Sequence, residues 1–529
     1  MDAQVNSGPV LVVAGWVLFD DDLADTVEIF VDGLPPVRAR RGIARPDVAA
    51  GVEPEGRSMA AGFMQLVPVR RPTDGTREVV VQVRATGIHG GSWEPPACRV
   101  VLGPAPPPAV PVPLPAGPPA PARGTDGRIR VCAITHSLYL GGGELYLHEL
   151  LVRLAAIGTF DLRVVAPEDG PLRPALEAAG IPVHLVSGYP AEPDRYAARL
   201  EELAALLRWW QIDCALVNTL GVHVGARAAR AAGVPAVWAV HESFDLDVFA
   251  YLNHGPSGFP PGVGSACRSA LLEADAVVFE SMATQALYER QVPGIPGMLV
   301  PYGVDLGAIA RYERASSKEE RRTEAGIGPD RRVLVCMGVF QDRKSQLALV
   351  QAFADLVDAR PEAMLVLVGD HPAPYPVTVR EAVDALGLGN AVRLVDIDPD
   401  CYRWYQIADV LVSASDVESL PRSFLEAMAF GCPILASDVF GVGEIVKDGS
   451  TGWLFSANSG VSLLAGLRRA LTCPQDELAA MGAACRRAAA GFDGSGYAAT
   501  YAGLIRRLVP GHGPDAGPVR IPAGLAAGP

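Results

Sequence analysis

Two glutamates, Glu418 and Glu426, stand with seven residues between them in the second half of the chain. Pro421 suits the first turn of a helix, and a glycine and a proline further on mark the end of that helix. The pattern predicts Glu418 in a loop before the helix and Glu426 in its second turn. The backbone amides of Arg422 and Ser423 would lie in the first turn, where N–H groups lack helical partners. Two carboxylates beside such amides could hold the hydroxyls and phosphate of a ligand, although a single glutamate near a helix start is commonly a partner of the helix dipole.

Two cations, Arg343 and Lys344, follow a predicted strand at 333–337. Helical periodicity begins directly after them, so Ser345 is expected to be the N-cap of a helix. Cations at the carboxyl end of a strand, beside a helix N-terminus, form a cradle for a diphosphate. The alternative is a solvated arginine–lysine pair on a loop, and the segment alone leaves both interpretations open.

A run of three glycines ends with Gly142 and Gly143, between a predicted strand at 129–134 and a predicted helix at 145–156. Glycines let a backbone approach a ligand closely, and a helix N-terminus presents free N–H groups. The run has neither the Gly-Lys-Ser/Thr of a P-loop nor the spacing of the dinucleotide-binding fingerprint. It could equally be a tight connection.

His241 follows a predicted strand at 236–240, a position in which a histidine is more often structural than catalytic. Two acidic pairs, Asp245 with Asp247 and Asp396 with Asp398, could suggest metal-dependent chemistry. Such pairs arise by chance in a chain with 59 acidic residues. Neither pair lies in a metal-like cluster, so no metal site is predicted.

These residues lie in two series of apolar runs that alternate with amphipathic helical segments, as in parallel strands covered on both faces. The series occupy 125–310 and 311–490, so we predict an α/β protein with two Rossmann-like, doubly wound domains. Ligands are expected at the carboxyl ends of the strands. Residues 491–508 are predicted to form a C-terminal helix that packs back on the first of these domains, and 509–529 to be a disordered tail.

Residues 1–103 contain β-rich runs separated by turn signals, which predict a small, sandwich-like, all-β accessory domain. Trp16 and Trp93 are candidate platforms for a sugar, but Trp16 lies in a Val-rich run, which favours a core position. Residues 104–124 are rich in proline and are predicted to be a semi-rigid linker.

The overall composition limits the class of protein. The chain has 529 residues, with 45 basic and 59 acidic side chains and a formal net charge of -14, which argues against a general binder of nucleic acid. No apolar run reaches the length of about 18 residues that crosses a bilayer, and the start lacks the pattern of a secretory signal. The nine cysteines are scattered singly, which fits a reducing cytoplasm rather than a disulfide framework or zinc ribbon.

Across residues 128–508 the chain resembles glycosyltransferase family 4, a large group of retaining transferases with the GT-B fold. The family's pair of glutamates is intact as Glu418 and Glu426, and further motifs match in family order at 141–144, 300–305, 343–344 and 441–444. The resemblance implies two Rossmann-like domains that face each other across a cleft. It also implies metal-independent transfer of a hexose from a nucleotide-diphosphate sugar, which is a substrate, with no cofactor.

The resemblance assigns roles to individual residues. Arg343 and Lys344 would neutralise the donor diphosphate. Glu426 would bind the ribose hydroxyls, and Glu418 would contact the transferred sugar. His241 matches a family histidine that faces the donor sugar near the reacting carbon. The candidate catalytic residues are therefore His241, Glu418, Lys344 and Arg343. The candidate donor-binding residues are Gly142, Gly143, Arg343, Lys344, Arg422, Ser423 and Glu426.

Some positions depart from the family's pattern. Val339 stands where many members have an arginine, which leaves the cationic role to Arg343 and Lys344. Leu420 and Pro421 replace a common Phe-Gly pair in the loop before the helix.

Bacterial members of the family often build polysaccharide or glycolipid, so a carbohydrate or glycolipid acceptor is expected, with peripheral contact at the inner face of the membrane. The wealth of Ala, Gly, Pro and Arg is typical of a GC-rich bacterial genome. The region 244–264, with Trp209 and Trp210 upstream, is a candidate acceptor or membrane-surface site, and core packing is the alternative for these tryptophans. Two other functions stay open: a nucleotide-sugar epimerase or phosphorylase on the same fold, and a non-catalytic carbohydrate-binding protein.

Overall fold

The structure is a computed structural model that describes residues 2–5, 10–17, 24–43, 62–69, 71–72, 75–87, 90–103, 127–255, 258–260 and 262–511. The predicted linker at 104–124 and the predicted tail beyond residue 511 lie outside the described residues. The described residues form two compact units. One unit comprises residues within Met1–Ala105 and Leu306–Gly491, and the other comprises residues within Pro106–Asp305 and Phe492–Pro529.

The N-terminal part of the first unit consists of antiparallel strands. These strands are β1 (Asp2–Val5), β2 (Val10–Trp16), β3 (Ala24–Val31), β4 (Val37–Arg38), β5 (Arg40–Ile43), β6 (Gly62–Pro68), β7 (Arg77–Gly87), β8 (Ser92–Trp93) and β9 (Cys98–Leu102). One sheet has the order β1-β2-β6-β5 and the other the order β4-β3-β7-β8, with β9 also paired to β7. Both sheets contribute to a single core, which includes Leu11 and Val13 from the first sheet and Ile29 and Val81 from the second. The prediction of a sandwich-like all-β region is confirmed.

Trp16 lies at the end of β2, and its residue is 41% exposed, so the interpretation that favoured a core position is wrong. Successive strand residues point to opposite faces of a sheet. Leu11 and Val13 face the core, which places Trp16 on the opposite face. Trp93 is also exposed, at 39%.

The second unit contains a parallel sheet with helices between its strands. The strands are β10 (Ile129–Ile134), β11 (Phe160–Ala166), β12 (Val183–Leu185), β13 (Cys214–Asn218), β14 (Ala236–Val240), β15 (Ala276–Phe279) and β16 (Gly297–Leu299). The helices are α1 (Gly142–Ile157), α2 (Arg173–Ala178), α3 (Pro193–Trp209), α4 (His223–Ala232), α5 (Leu246–His254), α6 (Val263–Glu273) and α7 (Met282–Gln291). Every residue of β13, β14 and β15 is buried, as the continuous apolar runs predict for strands covered on both faces.

The first unit contains the other parallel sheet. Its strands are β17 (Arg332–Met337), β18 (Ala363–Asp370), β19 (Val392–Asp396), β20 (Val410–Ser413), β21 (Ile434–Ser437) and β22 (Gly452–Phe455). Its helices are α8 (Leu306–Ala315), α9 (Lys318–Glu324), α10 (Gln346–Val357), α11 (Pro374–Ala385), α12 (Cys401–Ile407), α13 (Arg422–Ala429), α14 (Val442–Ile445), α15 (Gly460–Thr472) and α16 (Gln475–Ala489).

The strand orders show that both parallel sheets are doubly wound. The order is β12-β11-β10-β13-β14-β15-β16 in one sheet and β19-β18-β17-β20-β21-β22 in the other. The direction of winding therefore changes between β10 and β13, and again between β17 and β20. Connections diverge at such a switch point and leave a crevice beyond the carboxyl ends of the two strands, where ligands bind. The prediction of two Rossmann-like domains is confirmed.

A last helix, α17 (Gly494–Leu508), belongs to the second unit and packs on α1. The hydroxyls of Tyr146 and Tyr501 are 2.6 Å apart, and the Tyr497 hydroxyl donates to the Tyr146 carbonyl at 2.8 Å. Within the described parts of the chain, no helix is both long enough and apolar enough to cross a bilayer.

Candidate functional site

The loops that follow β17 and β20 carry the clearest cluster of polar side chains. Lys344 lies at the end of a short 3-10 turn after β17, and Glu418 lies in the loop after β20. The Lys344 ammonium forms an ion pair with the Glu418 carboxylate, and these side chains are only 18% and 10% exposed. Burial alone would raise the pKa of Glu418, but the charges of Lys344 and Arg343 outweigh burial and lower it. Glu418 is therefore an ionised carboxylate held at the switch point.

Backbone and side-chain contacts tie these two loops together. The amide of Asp416 donates to the carbonyl of Arg343 at 2.8 Å. The Arg343 guanidinium donates to the Val417 carbonyl at 3.4 Å and to the Gln341 side chain at 3.1 Å. These hydrogen bonds join the two loops, so the positions of Arg343 and Lys344 depend on the loop that bears Glu418.

Ser345 occupies the N-cap position of α10, but its hydroxyl makes no capping bond and its φ of 53° is left-handed. The hydroxyl instead lies 3.4 Å from both the Asp342 carbonyl and the Asp416 carboxylate. Ser345 is therefore the N-cap residue of α10, as the sequence predicts, but its hydroxyl does not cap the helix, because its backbone is left-handed rather than extended.

Glu426 lies in α13, which begins at Arg422 directly after Pro421. The Glu426 residue is buried, and its carboxylate accepts from the Arg422 guanidinium at 2.7 Å, one helical turn away. The amides of Arg422 and Ser423 lie in the first turn of α13. Glu418 and Glu426 therefore flank the start of one helix, as the sequence pattern predicts.

The glycines of the second unit occupy the start of α1, with Gly141 as the N-cap residue. A Cβ at Gly143 would lie 3.2 Å from the His241 ring and 3.3 Å from the Thr219 methyl group. No described atom lies within 4 Å of a Cβ position at Gly142. Gly143 therefore allows close packing of α1 on His241, whereas Gly142 borders open space.

His241 follows β14 and is held at both ring nitrogens. Its Nδ1 lies 2.9 Å from a Glu280 carboxylate oxygen, and its Nε2 lies 2.8 Å from the Asn218 side-chain oxygen. The Asn218 amide group donates in turn to the Gly143 carbonyl at 3.0 Å, which directs the Asn218 oxygen towards the histidine. Burial would lower the pKa of His241, but Glu280, together with the charges of Glu242 and Glu144, outweighs burial and raises it. An imidazolium that donates from both nitrogens fits this geometry.

Sequence reasoning did not single out Asn218 and Glu280, which complete the His241 network. Asn218 is the last residue of β13, and Glu280 directly follows β15. A polar residue at the carboxyl end of a buried parallel strand is the signal that could have identified both, because such ends line ligand crevices.

The acidic pairs take part in local structure. Asp245 caps α5 by accepting from the Asp247 amide at 2.9 Å. Asp398 accepts from the Trp404 indole at 2.8 Å and from the Asp400 amide at 2.9 Å. In the residues that the structure describes, no group of three or more His, Cys, Asp or Glu side chains could hold a metal ion.

A cavity of about 530 Å³ lies in the second unit, near the carboxyl ends of its strands. Its walls include the aromatic rings of Tyr189, Tyr196, His223, Phe249 and Phe259. Polar atoms come from other residues such as Asn253. Three of these six residues fall within the region 244–264, which the sequence marks as a candidate acceptor site.

Two family models match the chain. The family described as "Glycosyltransferase Family 4" matches residues 140–308, and the family described as "Glycosyl transferases group 1" matches residues 317–488. The second match covers the whole parallel sheet of the first unit, and the first match covers β11 to β16 but not β10. Neither match includes the N-terminal antiparallel sheets.

Curated relatives include D-inositol 3-phosphate glycosyltransferase 1 of Catenulispora acidiphila, which is 30% identical over 375 residues. This match covers 66% of the chain and 87% of that protein. The alpha-monoglucosyldiacylglycerol synthase of Streptococcus pneumoniae is 25% identical over 271 residues, covering 49% of the chain and 60% of the synthase. The lipopolysaccharide 1,2-N-acetylglucosaminetransferase of Salmonella typhimurium is 31% identical, and the match covers 52% of that protein's length. The chain thus spans less than two thirds of the last two relatives.

Solved structures share the fold. The Anabaena protein HepE in complex with UDP-glucose superposes with a TM-score of 0.60 at 21% identity, covering 72% of this chain and 100% of that chain. WaaG, a glycosyltransferase involved in lipopolysaccharide biosynthesis, superposes with a TM-score of 0.57 at 18% identity, covering 71% and 99%. At this level of identity, the likeness establishes the GT-B arrangement of two parallel sheets.

Proposed function

Because this chain belongs to glycosyltransferase family 4 and has the GT-B fold, we propose that it is a retaining glycosyltransferase. It transfers a hexose from a nucleotide-diphosphate sugar to a carbohydrate or glycolipid acceptor. The observation that carries this proposal is the ion pair of Lys344 with Glu418 at the switch point of its sheet. The pair unites a cation suited to a diphosphate with a carboxylate suited to sugar hydroxyls.

The diphosphate is the leaving group of the proposed reaction. As its bond to the anomeric carbon breaks, negative charge builds up on its oxygens. Arg343 and Lys344 offset this charge, and the first-turn amides of α13 add fixed donors. An ammonium has three N–H donors, so Lys344 can hold Glu418 and a phosphate oxygen together. Since these groups stabilise the leaving group without a divalent cation, the proposed transfer is metal-independent.

Each of the two glutamates binds a different part of the donor. Glu418 accepts hydrogen bonds from hydroxyls of the transferred sugar, next to the cation that holds the diphosphate. Glu426 accepts from the ribose hydroxyls, and its ion pair with Arg422 fixes the carboxylate in α13. With Glu426 assigned to the ribose, only Glu418 faces the sugar, which favours transfer over a hydrolase that uses two carboxylates.

Retention follows from attack on the face that the leaving group vacates. The acceptor hydroxyl forms the new bond to the anomeric carbon while the bond to the diphosphate oxygen breaks. That oxygen takes the proton of the hydroxyl, so the reaction needs no side-chain nucleophile and no separate base.

For His241 we propose a positioning role on the donor-sugar side. Both of its ring nitrogens already have protein partners, Glu280 and Asn218. Through Asn218 it is linked to the carbonyl of Gly143, and its ring packs against that glycine. His241 would therefore hold the start of α1, where Gly142 borders open space, in the conformation that receives the donor.

The aromatic cavity of the second unit is the proposed acceptor site. Aromatic faces bind the apolar faces of sugar rings, and polar atoms between them select the hydroxyl pattern. The names of three relatives contain diacylglycerol, inositol phosphate and lipopolysaccharide, which suggests a carbohydrate or glycolipid acceptor for this chain as well.

We further propose that the protein acts in the cytoplasm, at the inner face of a membrane when its acceptor is a glycolipid. All nine cysteines are free thiols, which suits a reducing compartment. Trp209 is 77% exposed and stacks on Trp210, so it could contact the headgroup region, where tryptophan is favoured.

A thermal-shift screen without metal, in the presence of a chelator, tests the donor assignment. UDP, GDP, ADP and dTDP and their hexose conjugates are added separately, and a true donor should raise the melting temperature by mass action. Lys344→Met should abolish that shift, whereas Lys318→Met should keep it. Lys318 forms a comparable ion pair with Asp409 at 2.8 Å, outside the two loops, and is the matched control.

The same donor then distinguishes the alternative functions. Incubation with candidate acceptors should give a glycosylated product with the donor's anomeric configuration. Conversion of the donor only to an epimer would indicate an epimerase, and phosphorolysis of a glycoside would indicate a phosphorylase. Sugar binding that is equal in the parent and in Lys344→Met, without any turnover, would favour a carbohydrate-binding protein.

A further inference from the structure

An arginine of the N-terminal antiparallel sheets reaches the loop that carries Glu418. Arg40 is the first residue of β5, and its guanidinium forms an ion pair with the carboxylate of Asp416. The two side chains are 20% and 8% exposed. Burial raises the pKa of Asp342, in the turn that carries Arg343, and the charge of Arg40 acts against this rise. A cation from outside the parallel sheet thus pairs with the loop that bears Glu418 and acts electrostatically on the turn that bears the two cations.

Asp416 connects these loops. It lies two residues before Glu418, and its amide donates to the Arg343 carbonyl at 2.8 Å. Its carboxylate lies 3.4 Å from the hydroxyl of Ser345, the residue after Lys344. A shift of Asp416 would therefore move the cations and Glu418 relative to each other.

A second contact fixes the antiparallel sheets to the same unit. Asp25 of β3 accepts from the Ser459 hydroxyl at 2.7 Å and from the Val461 amide at 2.9 Å, at the start of α15. Because β3 is anchored in this way, the antiparallel sheets hold Arg40 at a fixed position relative to the loops of the candidate donor site.

We propose that the N-terminal antiparallel sheets are part of the donor site, with Arg40 as a positioning residue that sets the spacing of the Arg343–Lys344 turn and the Glu418 loop through Asp416. This inference rests on the proposed function. A buried carboxylate that loses its cation must find another partner or reach water. Without Arg40, Asp416 would therefore move, and the two loops would leave the positions in which they bind a diphosphate.

The alternative is that the ion pair merely attaches one domain to another. An attachment would affect the melting temperature but not the affinity of the folded protein for a diphosphate. Nucleotide binding therefore separates the two interpretations, provided that folding is measured in parallel.

Isothermal titration of the full chain with UDP, GDP, ADP and dTDP tests the proposal on four proteins: the parent, Arg40→Met, Arg40→Lys and Arg99→Met. Arg99 pairs with Glu78 at 2.8 Å on the same antiparallel sheets, away from both loops, and is the matched control. We expect Arg40→Met to weaken binding of the preferred nucleotide by about tenfold. Arg40→Lys, which keeps the charge, should recover most of the affinity, and Arg99→Met should bind like the parent.

A double variant tests whether weaker binding by Arg40→Met is only a consequence of misfolding. Arg40→Met with Asp416→Asn removes both charges, so it should bind the nucleotide more tightly than Arg40→Met alone. The inference is overturned if folded Arg40→Met binds like the parent, or if Arg40→Lys binds as weakly as Arg40→Met. A parent that binds none of the four nucleotides would overturn the proposed function and this inference with it.

Discussion

The ammonium of Lys344 meets the carboxylate of Glu418 although 74 positions separate the two residues in the chain. The contact arises because β17 and β20 are neighbours in the sheet, with β18 and β19 on the far side of β17. The loops after these two strands therefore form the two walls of one crevice. Each residue alone has an ordinary explanation, but their contact at a switch point supports a donor site.

Glu418→Gln should separate catalysis from donor binding. If Glu418 holds the transferred sugar, the variant keeps the positive charge of Lys344 for the diphosphate but loses the ionised acceptor for sugar hydroxyls. We expect the affinity for the nucleoside diphosphate to stay within about threefold of the parent, and turnover to fall roughly 100-fold or more. Calorimetry with the nucleotide and product formation with the nucleotide sugar measure the two effects. Near-parental turnover would contradict the assignment of Glu418.

His241→Gln should reveal the charge of the imidazole through the pH dependence of stability. The pKa of His241 is raised above its ordinary value of 6.5, so its contribution to stability is full below that value and is lost as the pH rises through the raised pKa. The variant should therefore lose more stability relative to the parent at about pH 6 than at about pH 9. Melting temperatures of both proteins at these two pH values measure the difference. An equal loss at both would mean that His241 is neutral.

Asp416→Asn should have a pH dependence of the same sign, but in a more acidic range. Burial is the main cause that raises the pKa of Asp416 to about 6, although the charges of Arg40 and Arg343 and the Ser345 hydroxyl act against it. The ordinary value is 3.8, so the protonated carboxyl stabilises the fold at low pH, and this contribution disappears as the pH rises through about 6.

Asparagine is uncharged and imitates the protonated carboxyl at every pH. Relative to the parent, Asp416→Asn should therefore gain stability on the order of 1 kcal/mol between about pH 5 and about pH 8. Chemical unfolding of parent and variant at the two pH values measures the gain. A difference in unfolding free energy that does not change with pH would show that Asp416 keeps an ordinary pKa.

Phe259→Ala should weaken acceptor use without affecting the donor. Phe259 lines the aromatic cavity of the second unit, where its ring lies 6.0 Å from that of His223 and 5.1 Å from that of His254. Loss of a stacking face should raise the KM for the acceptor by about fivefold to tenfold. Nucleotide affinity should stay unchanged. Trp209→Ala, on an exposed surface that does not line the cavity, is the control for a soluble carbohydrate acceptor, and an equal effect of both variants would contradict the site.

Much of the fold could be predicted from the sequence because it depends on local patterns. Continuous apolar runs such as Ala236–Val240, repeated between helical segments, indicate strands buried on both faces, and this run is one. The start of α13 follows from Pro421, which places Glu418 before the helix and Glu426 within it. Trp16 shows the limit of this reasoning, because a Val-rich run identifies a strand but not where along the strand burial ends: Val10 and Val12 are buried, whereas Trp16 at the end of β2 is exposed.

The sequence by itself determined the two doubly wound sheets, the positions of Lys344, Glu418 and His241 in the segments that follow strands, and the family. Only the tertiary structure decided which of these residues meet: Lys344 with Glu418, His241 with Glu280 and Asn218, and Arg40 with Asp416. The physical reason is that hydrophobic periodicity shows only which residues of a helix or strand point towards the core of their own domain. An ion pair between distant segments depends instead on strand order and on the packing of whole layers, which no local spacing encodes.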